Sequence, residues 1–309
     1  MRIAVMGTGG VGGFFGAKLA LAGNDVTFIA RGRHLAAIRE GGLRVESGTG
    51  SLHVTGARVT DDPESVPPVD AVLFCVKLWD VEAAALQVLP LVSTGGVAIP
   101  FQNGLDSPEI LKRVLGPQRV LGGVAYIAAT IREPGVIAHT GTMARLRVGA
   151  FPGGPADRAM AFGEVGRAAG IDIEVSPDIR RALWEKFGFL CALSGCTCLA
   201  RQPLGVIRTD PDLRATFENA VREAWSVGRA ANVPLADDYV AQQMRALDGL
   251  PAEMKASMLH DLAAGRRLEA RWLSGAVVRL AQDAGLAAPV SGVLYAAVKP
   301  YVNGTGQVS

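Results

Sequence analysis

The chain has 309 residues, of which 49% are hydrophobic and 19% are charged. That length allows two domains, and the composition is typical of an ordinary globular protein. The formal net charge of +2 gives no electrostatic reason to expect nucleic acid or an anionic membrane as a partner. The four cysteines form no CxxC pair and the four histidines have no metal-ligand spacing, so we predict free thiols and no metal site.

Neither the N-terminal residues nor the longest apolar stretch indicates a signal peptide or a membrane-spanning helix. The first residues, Arg2 to Met6, already have the pattern of a strand, which leaves no room for a signal peptide. The longest apolar stretch, residues 187–200, is too short to cross a bilayer and is interrupted by Ser194 and Thr197. We therefore expect no membrane partner and, by default, a cytoplasmic location.

The first half of the chain alternates between strand and helix patterns. Residues 70–76 form a near-continuous apolar run, as expected for a strand that is covered on both faces. The alternation predicts a Rossmann-type, doubly wound and mostly parallel sheet. The predicted strands are 3–6, 25–30, 70–76, 97–100, 120–124, 136–139, 144–148 and 171–175, with a hairpin at 43–45 and 52–54 and helices at 11–22, at 34–40 and from a cap at Ser107-Pro108.

Beyond residue 176 the strand signal ends and helical periodicity takes over. Ser176-Pro177 has the pattern of a capped helix start, and Asp210-Pro211 has the same pattern. We therefore predict an α/β protein with a dinucleotide-binding domain at 1–176, followed by an all-helical C-terminal domain at 177–309. The predicted helices of the second domain are 179–199, 211–231, 236–247, 268–284 and 290–302.

The strongest motif is a glycine pattern, GxGxxG, placed between the first strand and the first helix. Its members are Gly7, Thr8, Gly9, Gly10, Val11 and Gly12. In a Rossmann domain the first glycine permits a tight turn, the second lets the backbone approach a pyrophosphate, and the third lets helix and strand pack closely. Outside that context the motif would be only a glycine-rich turn, but its position here predicts a dinucleotide site.

The end of the second strand indicates which dinucleotide is bound. An NAD-dependent enzyme usually has an acidic residue there, which binds the ribose 2′-hydroxyl. This chain has Arg31 instead, with Arg33 as a second candidate, and a guanidinium can pair with a 2′-phosphate. The alternative is a pair of solvated loop arginines. We predict NADP(H) as the cofactor.

Several later residues extend the pattern along the chain. Lys77 and Asn103 follow two apolar strands, where ligands of open α/β sheets bind. Lys186 follows Trp184 in the first helix of the second domain, and Ser257 and Glu269 come later. With these motifs in this order, nearly the whole chain resembles the ketopantoate reductases. That resemblance implies a substrate cleft between the two domains and NADPH-dependent reduction of 2-dehydropantoate to pantoate, on the pathway to pantothenate.

The resemblance also implies a role for each residue. Lys186 corresponds to the general acid, and Glu269 to the glutamate that orients the substrate hydroxyl and assists cofactor binding. Asn103 corresponds to the asparagine near the nicotinamide ribose, Lys77 to a lysine that lines the cleft, and Ser257 to a substrate contact. From spacing alone, Lys186 and Glu269 would be surface charges on amphipathic helices.

The chain departs from the family where polar substrate contacts are expected. Leu190 and Ser194 occupy substrate-facing positions that are usually asparagine, and Leu204 falls near a third. A pocket with fewer hydrogen-bonding groups disfavours a hydroxylated substrate. We therefore expect a small 2-oxo acid as substrate, either 2-dehydropantoate or a more apolar relative.

Two other functions stay open at this point. One is a different two-domain NAD(P)-dependent hydroxy-acid dehydrogenase, and the other is a non-catalytic NADP-binding regulator. A homodimer is also left open.

Overall fold

The structure, a computed structural model, describes residues 1–304. The chain divides into two compact units. The first comprises residues 1–102 and 106–182, and the second comprises residues 103–105 and the chain from 183 onward. The domain boundary that we predict, between 176 and 177, lies just before the helix in which the chain passes from the first unit to the second.

The strands all belong to the first unit. Residues 1–304 contain the strands β1 (Arg2–Met6), β2 (Asp25–Ile29), β3 (Leu43–Ser47), β4 (Leu52–Val54), β5 (Arg58–Thr60), β6 (Ala71–Phe74), β7 (Val97–Pro100), β8 (Leu121–Glu133), β9 (Val136–Ala150) and β10 (Asp172–Val175). Five of them form a parallel sheet in the order β5-β2-β1-β6-β7. The strand order reverses between β1 and β6, which is the point where open α/β sheets bind their ligands.

Helices flank this sheet and make up the second unit. The described part of the chain contains the α-helices α1 (Gly10–Leu21), α2 (Gly32–Gly41), α3 (Val81–Val88), α4 (Asp106–Leu115), α5 (Ala156–Ala168), α6 (Ile179–Ala200), α7 (Leu204–Thr209), α8 (Pro211–Ala230), α9 (Tyr239–Gly249), α10 (Ser257–Ala263), α11 (Ser274–Asp283) and α12 (Pro289–Val298). This arrangement confirms the predicted fold class, a Rossmann-type sheet followed by helices. Within residues 1–304, no helix is both long and apolar enough to cross a membrane.

Apolar side chains on both faces of the parallel sheet explain its continuous hydrophobic strands. Every residue of β6 and β7 is buried. Because alternate residues of a strand point to opposite faces, Val5 and Leu73 belong to one apolar cluster while Met6 and Phe74 belong to another. A sheet of this kind requires helices on both faces.

A second sheet contains strands that we predicted as part of one mostly parallel sheet. The runs at 120–124, 136–139 and 144–148 belong to β8 and β9, which form a long antiparallel hairpin. β9 also pairs in parallel with β3 and β10, and β3 pairs with β4 in the predicted hairpin. The predicted strand at 120–124 is shorter than β8. Residues 130–133 of β8 are exposed, so pairing of the two backbones, and not burial of apolar side chains, extends the hairpin there.

Two predicted helix caps are wrong and one is confirmed. α4 begins at Asp106, so Ser107 lies inside its first turn and is buried. For α6, the residue that accepts the N-terminal hydrogen bond is Asp178, from the backbone N–H of Arg181 at 3.0 Å, rather than Ser176. Asp210 caps α8 as predicted, accepting from the first two free backbone N–H groups at 3.0 and 2.9 Å.

In the helical unit, the single helix predicted over 268–284 is wrong. Residues Ala270–Trp272 form one turn of 3-10 helix, and α11 starts only at Ser274. Between them Leu273 has φ −110° and ψ −105°, which lies outside the helical region. The helix predicted over 290–302 likewise ends at Val298 and is followed by a 3-10 turn.

Candidate functional site

The glycine turn of the first unit is built by its backbone. Gly7 has φ +98°, a conformation that favours glycine, and a side chain there would collide with the backbone of Cys75 and Val76 at the end of β6. The carbonyl of Ile29, at the end of β2, accepts from the backbone N–H of Gly7 and from both the N–H and the hydroxyl of Thr8. The turn therefore lies across the ends of β1, β2 and β6.

The other three glycines of the motif differ in what surrounds them. A Cβ built on Gly12 would overlap the Gly7 carbonyl, so this helix packs directly on its strand. A Cβ on Gly10 would overlap the backbone of Ala129 in β8, whereas a Cβ on Gly9 meets no protein atom within 4 Å. Gly12 and Gly10 are thus required by protein packing, and Gly9 is the position left open toward a ligand.

The start of α1 suits an anion. Its first turn contains no acidic residue and no side chain caps it, and Val11 there is half-buried. The N-terminus of a helix presents backbone N–H groups and the positive end of the helix dipole. These residues fit the pyrophosphate of a dinucleotide, which the glycine motif predicts.

Arg31 and Arg33 lie beyond the carboxyl end of β2. Arg31 is the N-cap residue of α2, Arg33 is in its first turn, and both side chains are exposed. Thr27 to Ile29 of β2 pair with β1, which leads into the glycine turn. Both residues are therefore at the same edge of the parallel sheet as the turn.

The ends of β6 and β7 are joined by the side chain of Gln102, which directly precedes Asn103. The amide of Gln102 donates to the carbonyls of Phe74 and Val76, at 3.0 and 2.9 Å. Lys77 directly follows Val76 in the chain and is exposed. Its Nζ lies 5.6 Å from the centre of the Trp79 ring. Gln102 thus fixes the strand edge from which Lys77 projects.

The helical unit contains the second group of predicted site residues. Lys186 on α6 donates a hydrogen bond of 2.9 Å from Nζ to Oδ1 of Asn103. Asn103 belongs to this unit although it directly follows Gln102, the last residue of the first unit's leading segment. The structure therefore brings together two residues that the sequence placed in separate motifs.

Burial and Glu269 act in opposite directions on the lysine. Burial lowers the pKa of Lys186 to about 8, and the negative charge of Glu269 offsets part of that shift. Glu269 is half-buried and precedes the 3-10 turn at Ala270–Trp272, so it is not the helical residue that we predicted. A lysine with this pKa can exchange its proton near neutral pH.

The segment of α6 around Lys186 is held by aromatic residues. The hydroxyl of the buried Tyr239 donates to the Glu185 carbonyl at 2.8 Å. A side chain on Gly188 would overlap that hydroxyl, so α6 and α9 approach closely there. Trp184 packs edge-on against Phe187, with ring centres 5.5 Å apart. The Tyr239 contacts fix the position of the helix from which Lys186 projects.

The positions expected to contact substrate have different surroundings. Leu190, one helical turn after Lys186, is half-buried and packs against the helical core. Ser194 is 2% exposed and Leu204 is 0% exposed, so both lie within the unit. Ser257 is exposed at the start of α10. Leu190 and Ser194 both lie on α6, one and two turns after Lys186, but only Leu190 of the two is partly exposed.

Comparisons with known proteins identify the family of the chain. Residues 3–153 match the family described as ketopantoate reductase PanE/ApbA, and residues 178–302 match its C-terminal domain. A 2-dehydropantoate 2-reductase of Halobacterium salinarum is 32% identical over 291 residues, which are 94% of this chain and 95% of the relative. The chain belongs to the ketopantoate reductase family.

Solved structures of ketopantoate reductases have the same fold. The 2-dehydropantoate 2-reductase of Geobacter metallireducens superposes with a TM-score of 0.91 at 30% identity, covering 97% of this chain and 99% of that one. A D-mandelate dehydrogenase, solved with NADH and anilino(oxo)acetate, shares the fold with a TM-score of 0.90 at 19% identity, covering 98% of each chain. As a ketopantoate reductase family member, this chain is a pyridine nucleotide-dependent oxidoreductase.

Proposed function

We propose that this ketopantoate reductase family member reduces a small 2-oxo acid to the 2-hydroxy acid with NADPH. The observation that carries the proposal is the Lys186 ammonium, hydrogen-bonded to Asn103 and under the influence of Glu269. The glycine turn, with Gly9 open and α1 beginning beside it, supports a dinucleotide as hydride donor. Arg31 supports the phosphorylated form of that cofactor.

The lysine has the properties of a general acid for this reaction. NADPH supplies the hydride, which adds to the keto carbon and breaks the carbonyl π bond. The electron pair moves to oxygen, where the ammonium of Lys186 stabilises the negative charge and donates its proton. The product is the 2-hydroxy acid, and Lys186 is left neutral. With a pKa of about 8, it takes up a proton from water before the next turnover.

Asn103 and Glu269 support the lysine in different ways. The Asn103 amide oxygen accepts a hydrogen bond from the ammonium and restrains its direction. The Glu269 carboxylate raises the pKa of Lys186 against the effect of burial, which keeps more of the lysine in its acidic form. In the proposed mechanism Glu269 also accepts a hydrogen bond from the hydroxyl that forms.

Leu190 bears on which 2-oxo acid is reduced. It follows Lys186 by one turn, so its side chain covers the neighbouring surface of α6. An apolar residue there offers no partner to a substrate hydroxyl, and an unpaired hydroxyl in a pocket weakens binding. We propose 2-dehydropantoate, which the family resemblance implies, and therefore keep a 2-oxo acid with a more apolar side chain as the alternative.

The experiment is NADPH oxidation across a panel of 2-oxo acids with branched, aromatic and hydroxylated side chains, including 2-dehydropantoate. Lys186→Met should lower the turnover number by about 100-fold or more while NADPH still binds. Lys299→Met is the matched control, because that lysine is exposed in the same unit and rests on Tyr295. NADPH binding with no turnover of any member would instead indicate a regulator.

A further inference from the structure

We propose that His34 is a positioning residue of the dinucleotide site, where its neutral ring ties the Thr8 carbonyl of the glycine turn to the turn of the β8–β9 hairpin. The inference rests on the proposed function, because it concerns how the same cofactor turn is held. His34 lies in the first turn of α2, three residues after Arg31, and is half-buried.

Two backbone contacts fix the protonation state of the ring. His34 Nε2 lies 2.8 Å from the Thr8 carbonyl oxygen, and a carbonyl can only accept, so Nε2 carries the proton. Gly135 donates its backbone N–H to Nδ1 at 3.0 Å, so Nδ1 must be the unprotonated acceptor. The neutral ring satisfies both partners, while a protonated ring would direct an N–H at the Gly135 N–H. Burial also lowers the pKa of His34.

The contact to Thr8 sets the direction of a peptide in the cofactor turn. The Thr8 carbonyl and the Gly9 N–H belong to one planar trans peptide, in which the two groups point in opposite directions. When His34 holds the carbonyl on one side, the Gly9 N–H must face the other side. The Thr8 side chain and N–H are fixed on Ile29 and the Gly9 carbonyl accepts from the Gly13 N–H, so His34 adds a restraint on the peptide between them.

The hairpin end of the contact is itself fixed. Gly135 has φ +82°, and its carbonyl accepts from the backbone N–H of Arg44 at 2.9 Å. Further along the hairpin, the backbone of Ala129 lies directly against Gly10. The hairpin therefore contacts the cofactor turn twice, once directly at Gly10 and once through the His34 ring. A ring that lacks both nitrogens would keep only the first contact.

The test compares nucleotide binding with turnover. His34→Phe keeps a ring of similar shape but removes both hydrogen bonds, and we expect the Kd for NADPH to rise about tenfold while kcat at saturating NADPH changes less than twofold. His34→Gln retains an N–H that can donate to the Thr8 carbonyl, so it should recover part of the affinity. The matched control is His53→Phe, because His53 bonds the Gly41 carbonyl at the other end of α2.

The outcomes separate the inference from the proposed function. If the wild-type protein binds NADPH and His34→Phe binds it equally well, His34 is not a positioning residue, although the reductase proposal stands. The same holds if His53→Phe loses as much affinity as His34→Phe. If His34→Phe does not fold, the ring nitrogen NMR shifts of the wild-type protein decide: an Nε2–H ring with an accepting Nδ1 supports the inference, and an Nδ1–H ring overturns it. A wild-type protein that binds no dinucleotide overturns both proposals.

Discussion

Lys186 Nζ lies 2.9 Å from Asn103 Oδ1, although 83 residues separate the two in the chain. An amide oxygen can only accept a hydrogen bond, so it favours a lysine nitrogen that still carries protons over one that presents its lone pair. It also restrains a side chain that otherwise has many rotamers, and an acid held in one direction transfers its proton more effectively. The Asn103 contact thus belongs to the proposed proton transfer.

The rate of reduction should depend on pH through this lysine. The pKa of Lys186 is about 8, so its acidic form predominates below that pH and is lost as the pH rises through it. We expect the single-turnover rate of NADPH oxidation to be nearly flat below pH 7 and to be halved at about pH 8. In Glu269→Gln the carboxylate charge that raises this pKa is absent, so the decline should begin at a lower pH. If the pH profile of this variant is unchanged, the Glu269 charge does not raise the pKa of Lys186.

Two neighbouring glycines should respond differently to the same substitution. Gly9→Ala places a methyl group where no protein atom lies within 4 Å, so the melting temperature should change little while NADPH affinity falls. Gly10→Ala forces the methyl group into the backbone of Ala129, and we expect a loss of about 1–3 kcal/mol in unfolding free energy. Thermal denaturation and NADPH titration of both variants test this pair. Equal losses of stability would contradict it.

Cofactor preference should depend on Arg31, the N-cap residue of α2. Arg31→Ala should weaken NADPH binding by about 10- to 100-fold, because charge-assisted hydrogen bonds are worth about 1.5–3 kcal/mol. Its affinity for NADH, which lacks the 2′-phosphate, should be nearly unchanged. Arg33→Ala, two residues further along the same helix, is the comparison and should have the smaller effect. Titration of each variant with both nucleotides measures the difference, and a larger effect at Arg33 would reassign the phosphate contact.

Substrate preference should shift when Leu190, one helical turn after Lys186, is replaced by a polar residue. Leu190→Asn introduces a hydrogen-bonding group one turn from Lys186, so kcat/KM for 2-dehydropantoate should rise by about tenfold relative to an apolar 2-oxo acid. Leu199→Asn is the matched control, since Leu199 lies near the end of the same helix and is 38% exposed. If the ratio of kcat/KM for 2-dehydropantoate to that for the apolar 2-oxo acid is the same in both variants, Leu190 does not contact the substrate.

The elements that the sequence predicted well are those with an unambiguous physical signal. β6 and β7 are short apolar runs buried on both faces, and α8 begins at an aspartate cap followed by proline. The outer half of the β8–β9 hairpin carried no such signal, because its residues are exposed and only the pairing of the two backbones defines it. Leu273 interrupts a helical pattern through its backbone angles, which composition does not reveal.

The site residues divide in a similar way. A glycine motif predicts a turn because glycine readily adopts the positive φ angles that such a turn requires, and Gly7 has φ +98°. Lys186 and Asn103 came from separate motifs, and only the folded chain shows them in contact. His34 acts on a backbone carbonyl, which every residue possesses, so nothing in the sequence marks it. Gln102 directly precedes Asn103 in its motif, but its bonds to two strand-end carbonyls are seen only in the folded chain.

The packing of β8 against Gly10 also constrains the order in which the protein can be completed during synthesis. A nascent chain that has emerged as far as Pro100 already contains all five strands of the parallel sheet. It does not yet contain Ala129 or Gly135, which contact the glycine turn at Gly10 and His34. The turn reaches its final surroundings only when the hairpin has left the ribosome, later than the strands of the parallel sheet.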